Sequence, residues 1–107
     1  MEFEYMLEIR PNCECCDKDL APDSTEAMIC TYECTFCVTC VNDILENVCP
    51  NCGGGFVPRP IRPKVARRSG LSINHQPPSV ERVHTNYSIE ELREFSAKAK
   101  HIKPENR

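Results

Sequence analysis

Apolar residues recur with two different periods in this chain, separated by stretches that have none. Phe3, Tyr5, Leu7 and Ile9 alternate with Glu2, Glu4, Met6, Glu8 and Arg10. A period of two predicts a strand over residues 3–10 with one buried face. Ala27 to Tyr32 is rich enough in β-branched and aromatic residues for a second short strand carrying Cys30, and Cys34 to Cys37 reads as a tight turn. Val41, Ile44, Leu45 and Val48 then fall at i, i+3, i+4 and i+7, one face of a two-turn helix beginning after Cys40. A helix that short is marginal in water, so its face must pack on the first strand and the apolar residues around Cys30.

Between and after these elements the pattern lapses. Residues 17–24 are polar loop, and residues 58–86 are a proline-rich, basic and largely irregular linker. Periodicity returns over residues 87–103. Ser88 is placed to cap a tail helix, Glu91 to complete a capping box and Tyr87 to staple onto Leu92. Ile89, Leu92, Phe95, Ala99 and Ile102 share one side of it. That side can lie on the chain's own domain, or Ile89, Leu92 and Phe95 can contact a partner.

Nine cysteines between Cys13 and Cys52 change this picture of a small, poorly cored chain. Eight form the string C-x2-C-x13-C-x3-C-x2-C-x2-C-x8-C-x2-C, and a two-residue gap lets both sulfurs of a turn face one ion. With 107 residues, only half of them in the cysteine-rich part, a staple is expected, and it is metal rather than disulfide. The N-terminus is acidic and lacks the basic and apolar stretches of a secretory signal, nine is odd for a fully bridged protein, and a cytoplasmic chain meets a reducing environment. No apolar run reaches the length of a membrane span.

The eight ligands can divide sequentially or by interleaving. Consecutive service of two ions would crowd two doubly negative clusters around the short run from Cys34 to Cys40. Interleaving gives Cys13, Cys16, Cys37 and Cys40 to one zinc and Cys30, Cys34, Cys49 and Cys52 to the other. It puts Cys37 and Cys40 at a helix entrance, where free amides stabilise thiolate, and makes each ion tie distant segments. The interleaved division is the expectation. Cys15 is left as a free thiol, with a redox role beside metal-bound thiolates as the alternative. His75, His84 and His101 lie in the tail, apart from the cysteines.

From Cys13 to Cys52 this order resembles the RING finger, most clearly in Cys37-Val38-Thr39-Cys40-Val41 and Val48-Cys49-Pro50-Asn51-Cys52. The resemblance implies a small metal-stabilised α+β fold: a RING-like, treble-clef zinc domain over residues 3–57 with a short hairpin and one short helix, followed by the linker and tail helix. Cys34 stands where a RING has His, the helix lacks an aromatic residue and Gly53 follows the last ligand, so ubiquitin-ligase activity is not expected. Leu7 to Asp17 and Val48 to Phe56 further resemble a small bacterial family of cysteine-rich proteins of unassigned function, over about residues 6–63.

Charge bears on partners. Residues 1–57 carry eleven Asp and Glu against two basic residues, a formal −9, and residues 58–107 carry eleven basic against five acidic, +6. Each four-thiolate zinc would add −2 to the acidic half, which counts against a nucleic-acid reader there. Arg59, Arg62, Lys64, Arg67 and Arg68 are the candidate contacts for a polyanion. With no catalytic constellation and no small-molecule substrate implied, the expectation is a non-catalytic, two-zinc module that binds another protein. The rival is a rubredoxin-like iron–thiolate electron carrier, suited by Cys49-Pro50-Asn51-Cys52-Gly53, with nucleic-acid binding third.

Overall fold

The computed structural model describes residues 6–107 and is a small α+β fold around a three-stranded antiparallel sheet. The strands β1 (Ala27–Ile29), β2 (Thr35–Cys37) and β3 (Val57–Pro58) lie in the order β2-β1-β3. Met28 sits opposite both Phe36 and Pro58, and Ile29 opposite Thr35 and Val57. The helix α1 (Val38–Cys40) follows β2 directly and opens into a π-helical segment, Val41–Leu45. The tail holds α2 (Ile89–Ala99) and a 3-10 turn, Pro104–Asn106.

The hairpin of β1 and β2 departs from expectation. The turn expected at Cys34 to Cys37 is strand β2, and the chain reverses earlier, between Cys30 and Cys34. Glu33 makes this reversal with φ of 65°, its N–H donating to Cys30 O while Cys30 N–H donates to Cys34 O. A left-handed glutamate is a costly way to turn and leaves no signal in the sequence.

The strand expected over residues 3–10 is not formed by its described part, Met6 to Arg10, and residues 3–5 lie outside the described residues. Ile9 is buried as its alternation requires. Its backbone partners, however, come from the tail: Ser79 N–H donates to Ile9 O at 2.9 Å and Arg62 Nη2 to Leu7 O at 2.7 Å. Single bonds to an irregular segment satisfy these carbonyls without a ladder.

The helix starts three residues earlier than expected, at Val38, and ends earlier. Val41, Leu45 and Val48 are all buried and Ile44 partly so, but Val48 lies beyond the helix. Glu46 and Asn47 both take left-handed φ, and Asn47 Oδ1 accepts from Phe56 N–H at 3.0 Å, joining the helix end to β3. Phe36 and Phe56 meet edge to face at 5.4 Å in the core that these residues build with the cysteines.

The tail does not float free. Ser88 forms the expected capping box with Glu91, and α2 lays Leu92 and Ser96, one turn apart, against the π-helical segment. Leu92 is 1 % exposed and belongs to the core. The segment before α2 is irregular but tethered. Arg59, 4 % exposed, donates from Nη1 to Arg10 O and from Nη2 to Ala21 O, and Arg62 Nη1 donates to Gln76 O. Burial without a carboxylate partner lowers the Arg59 pKa. No helix among the described residues is long and apolar enough to cross a membrane.

Candidate metal centres

Two C-x-x-C turns with the same backbone frame the molecule. In the first, Asp17 N–H donates to Cys13 O and Cys13 N–H to Lys18 O, both at 2.8 Å. In the last, Gly53 N–H donates to Cys49 O at 2.7 Å and Cys49 N–H to Gly54 O at 2.8 Å. Each closes on a residue with positive φ, 64° at Asp17 and 80° at Gly53. In each the inner cysteine is fully buried and the outer one exposed. Amides turn toward sulfur at this and the hairpin turn: Gly54 N–H reaches Cys52 Sγ at 3.4 Å and Tyr32 N–H reaches Cys30 Sγ at 3.3 Å.

The fold brings Cys13, Cys16, Cys37 and Cys40 together, with all four sulfurs within 4.8 Å of one another. Cys37 ends β2 and Cys40 ends α1, so strand, helix and first turn converge on one point. Cys16 and Cys37 Sγ lie 3.9 Å apart, against a sulfur–sulfur edge of about 3.8 Å in a tetrahedral zinc–thiolate site. A second group joins Cys30, Cys34 and Cys49 within the same limit; Cys52, three residues after Cys49, is exposed and not in it. All nine cysteines are free thiols. The donor sets fit soft-ligand metals, and two cysteine clusters could each hold an ion.

Burial decides how these thiols titrate. It pushes Cys13 and Cys30 up to about 11 and raises Cys40 strongly. In the second group a hydrogen bond with Cys49, supported by Asn51, brings Cys34 down to about 5, and the same bond raises Cys49. A divalent ion would therefore displace protons from most of its ligands, and binding would strengthen as pH rises.

Several residues that hold these centres carry no ligand signature. Glu14, between the ligands of the first pair, is 3 % exposed. Its Oε2 accepts from Thr35 N–H at 2.7 Å and Arg10 Nη1 at 2.9 Å, and its Oε1 from Asn51 Nδ2 at 3.2 Å. Burial raises its pKa despite these donors. Asn12, also buried, gives Nδ2 to Asp17 Oδ1 and Val83 O, fixing the first turn to the tail. An acidic residue inside a C-x-x-C pair with Arg10 four positions earlier was the available sign of the first; nothing flagged the second. Cys15 is buried, and that burial raises its pKa, with Cys16 and Cys37 adding to the rise and a hydrogen bond with Cys40 opposing it.

The remaining candidates are scattered. Leu92 is spent in the core, whereas Ile89 and Phe95 are exposed. Of the basic residues, Arg59 and Arg62 are committed to backbone carbonyls, leaving Lys64, Arg67 and Arg68 exposed. His84 touches Cys15 O at 3.3 Å and His75 bonds Ser72 at 2.7 Å.

Comparison with known proteins agrees on where the module lies. An uncharacterized protein of Rhizobium meliloti is 66 % identical over 58 residues, which is 54 % of this chain and 69 % of that protein. No solved structure matches the chain. The sequence profile of the family described as "Protein of unknown function (DUF1272)" matches residues 6–62, which span both thiol clusters, and the chain belongs to that family.

Proposed function

We propose that this protein is a non-catalytic, two-zinc module with RING-like interleaved sites, and that it binds another protein through its tail-helix face. The observation that carries the metal half is the grouping of sulfurs: the first and third pairs share one cluster, and the second pair shares another with Cys49. Cys52 would complete the second site, since its turn matches that of the first pair bond for bond. Four thiolates saturate zinc and leave no open position for a substrate, so the ions serve the fold. A cytoplasmic setting accords with nine free thiols.

The surface offered to a partner is a groove of about 190 Å³ between α2 and the last C-x-x-C turn, lined by Pro50, Tyr87, Leu92 and Phe95 with Glu91 and Lys98. Exposed aromatics at a polar-rimmed groove are the usual anchors of such contacts. Capture from the native lysate with the full chain and with a Tyr87→Glu, Phe95→Glu variant of equal metal content tests it. Retention of a protein by the first and its loss from the second is expected; equal retention, or none, rejects the surface.

Two readouts on the same preparation address the rivals. Colourless protein with two zinc ions supports the zinc reading, and a red, iron-bearing protein the rubredoxin-like one. Salt-dependent nucleic-acid retention that vanishes when Lys64, Arg67 and Arg68 are replaced would favour the polyanion reading.

A further inference from the structure

We propose that Glu14 is a positioning residue that couples the two metal centres, so that their ions load and leave as a pair. The inference rests on both clusters holding metal and is independent of any partner. Glu14 belongs by sequence to the first centre, between Cys13 and Cys16. By contact it belongs to the second. Thr35, which follows Cys34, exchanges two hydrogen bonds with it: Glu14 N–H donates to Thr35 O at 2.9 Å and Thr35 N–H donates to Glu14 Oε2 at 2.7 Å. Asn51, between Cys49 and Cys52, donates to Glu14 Oε1 at 3.2 Å.

The carboxylate thus holds both ligand loops of the second centre from inside the first. A charged group this buried is tolerated only while its donors stay in place. Loss of the second ion frees Cys34 and Cys49 and lets Thr35 and Asn51 move, which leaves Glu14 with Arg10 alone and strains the first turn. Opening the first turn withdraws the carboxylate and removes the same donors' partner. Each ion therefore favours the conformation that the other needs, which is a coupling free energy and acts equally in both directions. Repulsion between two anionic thiolate clusters opposes it, but bonds of this length act locally while that repulsion is screened by solvent and salt.

Glutamine at position 14 cannot replace the carboxylate. It has one acceptor oxygen, and its amide would meet either Arg10 or the Asn51 amide donor to donor. Asn51 is exposed, so Asn51→Ala cuts the same link without emptying the core.

Native mass spectrometry of the full-length, reduced, metal-free chain titrated with cobalt(II) counts molecules with zero, one and two ions. For a coupling near 100-fold, within the ordinary range, the one-ion species at half saturation stays at about a tenth, against about half for independent equal sites. The wild type is expected near the first figure, and Glu14→Gln and Asn51→Ala near or above the second. Total capacity stays at two ions, and the thiolate-to-cobalt absorption per ion is unchanged. A merely structural Glu14 would lower affinity or stability yet keep loading pairwise. Should Glu14→Gln fail to fold, Asn51→Ala decides. Accumulation of the one-ion species by the wild type, or pairwise loading by the folded variants, overturns the proposal. A wild type that gives no thiolate–cobalt absorption overturns it together with the metal reading, whatever the capture experiment finds.

Discussion

The first and last C-x-x-C turns share one backbone and differ in almost everything attached to it. Both run i+4 to i and i to i+5 through the same pair of hydrogen bonds, bury the inner cysteine and expose the outer. The first closes on Asp17, whose side chain accepts from Asn12 and Arg82; the last closes on Gly53, which has no side chain to offer. The first is tied to the irregular tail by Asn12 and by Thr85 N–H to Glu14 O at 2.7 Å, and the last by the C-terminal Arg107, which donates to Asn47 O just before the turn and to Gly53 O within it. A two-residue gap between cysteines therefore sets a turn that aims two sulfurs, and the neighbours decide what else that turn is fastened to.

The deepest test of this equivalence removes the inner ligands. Cys13→Ser and Cys49→Ser should each abolish the ordered fold and stoichiometric metal binding, because a structural zinc supplies on the order of 10 kcal/mol of folding free energy. Cys16→Ser and Cys52→Ser, at exposed positions, should keep circular dichroism close to wild type while weakening the ion they touch. If inner and outer variants behave alike, burial is not what distinguishes the ligands.

The fastenings come next. Leu92→Ala should cost about 2–4 kcal/mol in urea unfolding of the loaded protein, by the cavity it leaves against the π-helical segment. Arg59→Ala should cost about 1–3 kcal/mol by leaving Arg10 O and Ala21 O without donors. Asn12→Ala, which acts on the first turn alone, should fall in the same range, and an unchanged midpoint would deny that the tail holds that turn.

Exchanging the closing residues is a finer probe. Gly53 has nothing within 4 Å of a built Cβ, so a side chain there meets only its positive φ. Gly53→Asp should cost about 1 kcal/mol or less and Gly53→Val about 1–2 kcal/mol, since a left-handed conformation suits Asp far better than a β-branched residue. Equal costs would mean the last turn does not depend on φ.

The smallest effect is on pH and concerns the loading of metal. Burial pushes Cys13 and Cys30 up to about 11 from an ordinary thiol value of 9.0. An ion must displace these protons, so the apparent affinity of both sites should strengthen as pH rises toward that value. Affinity that stays constant with pH, measured by competition with a chelator of known pH dependence, would contradict it.

Much of this arrangement was legible because cysteine spacing carries geometry that few residue types carry. The same density of ligands hid the hairpin: Cys34 to Cys37 looked like a turn because its ends are cysteines three apart, yet Thr35 and Phe36 are fully buried strand residues and the reversal falls on Glu33. The helix was recognisable from Val41, Ile44 and Leu45, but its π-helical opening and the left-handed pair Glu46 and Asn47 follow from docking onto Phe56 and α2, which local periodicity does not encode. Residues 58–86 read only as an irregular basic linker, since arginines bonded to carbonyls, as Arg59 and Arg62 are, look the same in sequence as solvated ones. Glu14 escaped for a like reason, as its partners lie 21 and 37 residues away.

The interleaved division of ligands between two ions is the centre of this account, and cadmium with a spin-half nucleus reads it directly. Correlating the cadmium resonances of the loaded protein with cysteine β-protons assigns each ligand to its ion. Two resonances are expected, one coupled to Cys13, Cys16, Cys37 and Cys40 and the other to Cys30, Cys34, Cys49 and Cys52. A resonance joining Cys13 and Cys16 to Cys30 and Cys34, or a single bound ion, would contradict it.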